Sequence, residues 1–229
     1  MSDCSVLTID GPGGAGKGTV SRLLATRLGW HYLESGALYR ALGIAALRDD
    51  IDLDNQDALA RMARTMQLDF DCCPGNYKVL LDGVDITQEM AQETSGNLAS
   101  RIAANALVRQ ALVEKQRAFK RPPGLVAEGR DMGTVIFPEA KYKIFLTASV
   151  EERARRRYLQ LKQTDNNVSL DRLRDEIEMR DNRDMNRSVA PLRPAEDAVL
   201  IDSTTATIED VVNQCFHLVK SGCHQNFSQ

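Results

Sequence analysis

A glycine-rich stretch near the start of this 229-residue chain constrains the fold more than any other feature. The run Val6–Ile9 has strand character, and a helical pattern carrying Val20, Leu24 and Leu28 follows the glycines. A strand that turns through glycines into a helix lets backbone N–H groups point at phosphate oxygens, and the helix N-terminus adds positive partial charge. The GxxxxGK spacing therefore predicts a phosphate loop for a nucleoside triphosphate. Its residues are Gly11, Pro12, Gly13, Gly14, Ala15, Gly16, Lys17, Gly18 and Thr19.

Two loop side chains carry the remaining chemistry. Lys17 supplies a full positive charge for the β- and γ-phosphates. Because Gly18 has no hydroxyl, Thr19 is the candidate contact for Mg²⁺, directly or through water. No apolar strand ending in aspartate is evident, and Leu125–Glu128, which ends in glutamate, comes nearest. We therefore expect the ion to be held mostly by phosphates and water.

Five apolar or β-branched runs alternate with helical patterns. N-cap signals precede three of the helices, at Ser35, at Ser149 with Glu152, and at Thr207 with Asp210. Alternating strands and helices are joined by right-handed crossovers, which predicts an α/β fold with a five-stranded parallel sheet covered by helices on both faces. The predicted strands are Val6–Ile9, Trp30–Leu33, Leu125–Ala127, Tyr142–Leu146 and Ala198–Ile201.

Residues from about 50 to 95 interrupt this alternation. Asn55–Met66 has the spacing of an amphipathic helix, and three short runs separated by turn residues indicate antiparallel strands. One long helix is predicted from Ser95 to Phe119. We interpret this region as a small α+β insert on the core. The predicted strands are Gln67–Phe70, Lys78–Leu81 and Val84–Ile86, with turns at 74–76 and 82–83.

Composition limits the classes of function. A net charge of −3 and a pI near 5.7 argue against nucleic acid or a membrane surface as the main partner. No apolar run approaches the roughly 18 residues of a membrane span, and the first residues lack a signal-peptide pattern, so the cytoplasm is expected. The five cysteines form no CxxC pair, which argues against a zinc site or a disulfide framework. Without a heptad pattern, we expect a monomer.

Two polar segments follow predicted strands, where α/β proteins bind ligands. Ser35 begins one helix and Arg40 lies just over a turn later, while Arg130 and Asp131 follow the strand at Leu125–Ala127. An arginine there can hold an anion, and an aspartate can accept hydrogen bonds from a polar group. A local ion pair that closes a loop is the alternative for each segment.

Arginines crowd the stretch from 153 to 193. A solvated helix face is the expectation for Arg172, Arg174 and Arg183. Phosphoryl transfer spreads negative charge over the moving group, and a closing flap can bring arginines to it while excluding water. We expect four of these arginines to take part in that transfer: Arg153, Arg157, Arg180 and Arg187.

Four separated motifs occur in order over nearly the whole chain: TIDGPGGAGKGT, ESGALYR, EGRDMGTVIFP and RDNRDMNRSVAPL. Together they make the chain resemble the bacterial cytidylate kinases. The resemblance implies transfer of the γ-phosphoryl group of ATP to CMP or dCMP, with Mg²⁺, in pyrimidine metabolism. It also implies a parallel core (about 1–34, 120–150 and 190–220), a monophosphate-binding part containing the insert (about 35–119) and a lid (about 151–189). The tail, 221–229, is expected to be frayed.

The same resemblance implies roles for individual residues. Ser35, Ser100, Arg109 and Asp131 would surround the cytosine, and Arg40 and Arg130 would hold the monophosphate. Asp184, helped by Arg180, would reach the sugar hydroxyls, and Arg187 would lie near the phosphates. Lys17, Arg130, Arg153, Arg157 and Arg187 would neutralise charge during transfer. Glu34 and Glu128 depart from the family pattern, which often has aspartate at both places.

Three other readings of the sequence stay open. A kinase of the same scaffold could act on a different monophosphate or on a hydroxylated acid. A nucleotide-driven switch is disfavoured because no NKxD-like guanine-reading motif occurs. Nucleic-acid binding is disfavoured by the acidic balance.

Overall fold

The computed structural model describes residues 4–73, 76–162 and 169–221, and the backbone alone for 71–73, 76, 77 and 93. The chain forms two compact units. The first unit runs up to Leu33 and resumes at Phe119, and the second unit is Glu34–Ala118. The predicted turn residues 74 and 75, residues 163–168 and the tail from 222 lie outside the described residues.

Eight strands and nine α-helices occur among the described residues. The strands are β1 (Ser5–Asp10), β2 (His31–Glu34), β3 (Leu68–Cys73), β4 (Asn76–Leu81), β5 (Val84–Asp85), β6 (Gly124–Gly129), β7 (Tyr142–Thr147) and β8 (Val199–Asp202). The helices are α1 (Lys17–Leu28), α2 (Ser35–Arg48), α3 (Gln56–Thr65), α4 (Thr87–Ala91), α5 (Glu93–Ile102), α6 (Ala106–Arg117), α7 (Val150–Leu161), α8 (Leu170–Asn186) and α9 (Ile208–Ser221).

A five-stranded sheet in the order β2-β6-β1-β7-β8 forms the core of the first unit. β1 pairs in parallel with β6 on one side and β7 on the other, and β7 pairs in parallel with β8. This confirms the predicted α/β class. Strands buried on both faces read as continuous apolar runs, and β6 is buried along its whole length. The carboxyl ends of β1 and β6 therefore place the phosphate loop beside the segment that begins at Arg130.

Local caps explain where several helices begin and end. Gly29 takes a left-handed conformation (φ 66°) after α1. Ser149 accepts a hydrogen bond from the Glu152 N–H at the start of α7, as predicted. The Ser35 prediction is wrong, because Glu34 is the N-cap of α2 and Ser35 is its first residue. The Ser35 hydroxyl bonds another helix instead, as described below.

The second unit contains a three-stranded antiparallel sheet, β3-β4-β5, which confirms the antiparallel strands predicted for the insert. The predicted long helix from Ser95 to Phe119 is wrong, because the structure breaks it into α5 and α6. Asn105 lies between them with an extended ψ of 118°, and its side chain accepts hydrogen bonds from Leu107 N and Val108 N. Asparagine competes for backbone N–H groups in this way, and so it ends one helix and starts the next.

Apolar side chains fill the interior, and the half-buried Trp30 packs against β6. A β-carbon built on Gly124 would lie 2.4 Å from the Trp30 ring, so the indole lies directly on that strand.

Cys4 and Cys215 are free thiols, whereas the other three cysteines lie outside the described side chains. Burial raises the pKa of Cys215 to about 12, which makes it unreactive. Across the described part of the chain, no helix has the length and apolar character needed to cross a membrane.

Candidate active site

The phosphate loop starts directly after β1 and has no room for side chains at its base. Gly11 has φ 146°, and a β-carbon there would lie 1.9 Å from the Leu146 carbonyl oxygen. Gly16, the N-cap of α1, is also left-handed, with φ 90°. Only glycine adopts these conformations without strain. The sequence therefore folds into the predicted strand, glycine loop and helix.

Lys17 is the first residue of α1, and its side chain folds back over the loop. Its ammonium donates a hydrogen bond to the Pro12 carbonyl across 2.8 Å, and the residue is buried. Burial, and then the charge of Arg130, lower the pKa of Lys17 to about 7, against the opposing effect of nearby carboxylates. A phosphate placed against this nitrogen would favour its charged form.

Arg153, at the start of α7, is buried against the same loop. Its Nε donates to the Ala148 carbonyl (3.0 Å) and its Nη1 to the Gly13 carbonyl (2.9 Å). Its Nη2 donates to the carboxylate of Asp181 on α8. All three guanidinium nitrogens therefore have protein partners, and Arg153 fixes a loop carbonyl to two helices.

Two ion pairs connect the segment after β6 with the end of α8. Arg130 Nε donates to Asp184 Oδ2 across 3.0 Å, and Arg187 Nη2 lies 3.7 Å from Asp131 Oδ1. Asp131, Asp184 and the Arg187 side chain are buried. Burial lowers the pKa of Arg130, but the charge and hydrogen bond of Asp184 outweigh it, so the pKa is raised overall.

Gly13 is the point on which the arginines converge. A β-carbon built there would lie 3.4 Å from Arg130 Nη2 and 3.8 Å from Arg180 Nη1. With Arg153 bound to the Gly13 carbonyl, three guanidinium groups surround this part of the loop. Such a cluster of cations beside backbone N–H groups is suited to a polyphosphate. Arg157 is half-buried, and one of its hydrogen bonds, to Gln160, stays within α7.

In the second unit, four predicted site residues lie on α2, α5 and α6. Ser35 donates to Gln116 Oε1 across 2.7 Å, and Arg40 Nη1 donates to the Met90 carbonyl across 3.1 Å. Arg109 is buried, and its Nη1 donates to the Ala103 carbonyl across 3.2 Å. The fourth residue, Ser100, is buried on α5. Burial of polar groups at these positions costs free energy unless they have partners.

Comparisons with known proteins decide the family. The model of the family described as cytidylate kinase matches residues 7–221. The chain is 54% identical over 216 residues to a cytidylate kinase of Methylococcus capsulatus, covering 94% of this chain and 97% of that protein. A cytidylate kinase of Aeromonas hydrophila is 54% identical over 207 residues, with 90% of each chain covered. This chain belongs to the cytidylate kinase family.

Membership of the cytidylate kinase family confirms the resemblance drawn from the four motifs. Among solved structures, a gluconokinase from Sinorhizobium meliloti 1021 matches with a TM-score of 0.45 and 13% identity, covering 96% of this chain and 94% of that chain.

Asp10 is a buried carboxylate beside the phosphate loop that sequence reasoning missed. An apolar strand that ends in aspartate does exist, because β1 continues one residue beyond Ile9 to Asp10. The feature of the sequence that could have indicated Asp10 is its position directly before the first loop glycine. Its carboxylate accepts hydrogen bonds from Met132 N and Gly133 N, both across 2.8 Å. Burial raises the pKa of Asp10 to about 7, although both hydrogen bonds and Lys17 lower it.

Two further partners were missed because they lie far away in sequence. Gln116 binds the Ser35 hydroxyl, and Asp181 binds Arg153. The solvated face is confirmed for Arg172 and Arg174, which are exposed and lie near Glu176 and Asp175. Arg183 is different: it is half-buried, and its Nη1 has no hydrogen-bond partner among the described residues.

The residues present fit a magnesium ion that is held mainly by nucleotide and water. In the described part of the chain, no group of three or more His, Cys, Asp or Glu residues could hold a metal ion. Glu128, the last residue but one of β6, accepts a hydrogen bond from the Tyr32 hydroxyl across 2.8 Å. Thr19, half-buried in the first turn of α1, offers a hydroxyl. A single protein oxygen suits an ion that dehydrates reluctantly.

Proposed function

We propose that this protein transfers the γ-phosphoryl group of ATP to CMP and dCMP, giving ADP with CDP or dCDP. The observation that carries the proposal is the cytidylate kinase family match over residues 7–221, which includes all four motifs. It confirms the predicted enzyme class, a phosphotransferase with a phosphate group as acceptor. The arginine cluster around Gly13 supports the same chemistry, because it lies beside the loop suited to the donor phosphates.

The donor phosphates bind along the phosphate loop, Gly11–Thr19. Backbone N–H groups and the N-terminus of α1 face the anion, and Lys17 leaves the Pro12 carbonyl to contact it. Arg153 keeps the Gly13 carbonyl turned toward the protein, which leaves the neighbouring N–H groups for phosphate. Mg²⁺, with Thr19 as its protein contact, would neutralise charge on the β- and γ-phosphates.

The acceptor nucleotide binds through a set of polar and charged side chains. Ser35, Ser100, Arg109 and Asp131 contact the cytosine, and Arg40 and Arg130 hold its phosphate. Cytosine presents an amino donor at N4 beside an acceptor at N3, and uracil reverses this order. A site built for the first pattern leaves buried polar groups unpaired with the second and therefore disfavours UMP.

Arg130 and Asp184 change partners when the acceptor binds. Asp184 holds Arg130 across 3.0 Å, so the acceptor phosphate replaces that carboxylate on the guanidinium. Asp184, with Arg180, then reaches the sugar hydroxyls, and Arg187 moves toward the phosphates. This exchange keeps both charged groups hydrogen-bonded before and after binding, which limits the free-energy cost of desolvation.

Catalysis consists of in-line positioning and charge stabilisation. The acceptor oxygen belongs to a phosphate that is already ionised at neutral pH, so no general base is required. Lys17, Arg130, Arg157 and Arg187 stabilise charge on the moving phosphoryl group, and Arg153 does so through the loop that it holds. The segment at about 151–189 acts as the lid that excludes water.

The test is substrate-dependent ADP formation by the purified protein alone, with ATP, Mg²⁺ and one of CMP, dCMP, UMP or AMP. We expect CMP and dCMP to give the highest kcat/KM. A preference for AMP would contradict the base assignment, and the absence of turnover with every monophosphate would contradict the proposed reaction. The Lys17→Ala variant controls for a contaminating kinase. Sedimentation at assay concentration checks the expected monomer.

A further inference from the structure

Asp10 occupies the centre of the first unit, at the point where the sheet meets the phosphate loop. It is the last residue of β1, the middle strand, and its backbone is in register with Gly129 of β6 and Phe145 of β7. Its side chain is almost completely buried.

Both oxygens of this carboxylate bind one short segment of backbone. Oδ1 accepts from Met132 N and Oδ2 from Gly133 N, each across 2.8 Å. These are the first two N–H groups of a single π-helical turn, Met132–Ile136. The first N–H groups of a helical turn have no partner within it and need an acceptor from elsewhere. Asp10 therefore caps the turn from a strand that is more than 120 residues away in sequence.

Asp131 is the N-cap residue of this turn, but its side chain makes no capping hydrogen bond. Its carboxylate lies 3.7 Å from Arg187 instead. An aspartate at an N-cap normally accepts from the N–H groups that follow it. Because Asp10 takes that role, the carboxylate of Asp131 can face a charged partner or a ligand.

The turn has little freedom to move against Asp10. A β-carbon on Gly133 would lie 2.9 Å from Thr8 Oγ1 and 3.4 Å from Asp10 Oδ2, so the backbone packs directly on β1. On the other side, Gly11 is packed against the Leu146 carbonyl. The phosphate loop continues directly from Asp10, and the segment carrying Arg130 and Asp131 is bound to the same residue through Met132 and Gly133.

We propose that Asp10 is a positioning residue for phosphoryl transfer: by capping Met132 and Gly133, it sets Arg130 and Asp131 relative to the phosphate loop. The inference rests on the proposed function, in which these two residues bind the acceptor nucleotide. Both of its oxygens already accept backbone hydrogen bonds, so Asp10 acts through Met132 and Gly133 rather than through a nucleotide contact. The free-energy cost of burying its carboxylate is consistent with such a role, because burial without a function would favour an apolar residue.

The decisive variant is Asp10→Asn, which keeps the shape but offers only one acceptor to the two N–H groups. We expect kcat/KM for CMP to fall at least fivefold, while the Kd for ATP, measured by calorimetry without acceptor, stays within twofold. A smaller fall, or an equal loss of ATP affinity, would overturn the proposal. Val212→Ala, a buried truncation on α9, is the control for a general loss of stability and should leave both quantities within twofold.

A second perturbation approaches the contact from the other side and keeps Asp10 intact. Gly133→Ala places a methyl group against Thr8 and Asp10, and we expect the same split between CMP and ATP. If Asp10→Asn does not fold, Gly133→Ala alone tests the proposal, with the same limits on kcat/KM for CMP and on the Kd for ATP.

Hydrogen exchange separates this inference from the proposed reaction, because it needs no turnover. In the unliganded protein, the amides of Met132 and Gly133 should exchange at least tenfold faster in the Asp10→Asn variant, with the helix α9 unchanged. Unaltered exchange at these two amides would refute the cap, whatever substrate the enzyme uses. If the cap is present and CMP is not phosphorylated, the proposed function fails rather than the cap.

Discussion

Arg130 Nε donates a hydrogen bond to Asp184 Oδ2 across 3.0 Å, and the two residues are 54 positions apart in the chain. Asp184 is buried near the end of α8, while Arg130 directly follows β6 and keeps part of its side chain in solvent. The pair joins the segment that we propose to bind the acceptor phosphate to the segment that we propose to bind the sugar. Both residues are therefore held in place before a nucleotide binds.

Replacing Asp184 tests whether this pair contributes both to stability and to binding of the acceptor nucleotide. Asp184→Asn leaves the Arg130 guanidinium without its counter-charge, so we expect the free energy of unfolding to fall by about 1–3 kcal/mol. We also expect KM for CMP to rise by about tenfold or more, the size of one lost charged hydrogen bond. Urea unfolding and steady-state kinetics measure the two effects. Asp175→Asn, at an exposed position on α8, is the matched control, and an equal effect there would argue against the pair.

Lys17→Ala should separate activity from stability. Removal of the ammonium takes away the charge that we propose stabilises the moving phosphoryl group, and we expect kcat to fall by about a hundredfold or more. Stability should not fall, because burial already disfavours the charged form of this lysine. A coupled assay and a thermal melt measure both. Lys120→Ala is the control, since Lys120 pairs with Glu139 at the surface, and near-normal turnover of Lys17→Ala would refute the role.

Replacing Arg153 should weaken the binding of ATP more than the binding of CMP. Arg153→Met removes the hydrogen bond to the Gly13 carbonyl and leaves Asp181 without its cation. We expect the Kd for ATP to rise about tenfold or more, and the free energy of unfolding to fall by about 3–5 kcal/mol, as for other broken buried ion pairs. Calorimetric titration and denaturation provide the values. Arg155→Met, on the same helix but exposed, should change neither, and a similar loss there would show a general effect on α7.

Asp10 makes stability depend on pH in a defined direction. Its pKa is about 7 in the folded protein, against 3.8 as the ordinary value, so the folded state favours the protonated acid. Its contribution is therefore most favourable below pH 3.8 and falls as the pH rises through about 7. We expect the free energy of unfolding of the wild type, minus that of Asp10→Asn, to decrease between pH 4.5 and 7.5. Parallel pH profiles of the two proteins in urea denaturation would contradict the raised pKa.

Local sequence was sufficient where a short stretch decides its own conformation. The five core strands, the glycine loop and the Thr207–Asp210 box at the start of α9 follow from residues within a few positions of one another. Local competition also explains an error, because Asn105 takes two N–H groups and breaks the predicted helix from Ser95 to Phe119. The apolar residues on both sides of Asn105 have helical spacing, and so the pattern predicted one continuous helix.

The sequence by itself determined that a strand, a glycine loop and a helix form a phosphate site, because main-chain geometry and helix polarity require only neighbouring residues. Only the tertiary structure decided which charges meet there. Arg153 with Asp181, Arg130 with Asp184 and Asp10 with the Met132 amide join residues 28, 54 and 122 positions apart. The direction of a side chain across such distances depends on how strands and helices pack, and no spacing in the chain encodes it.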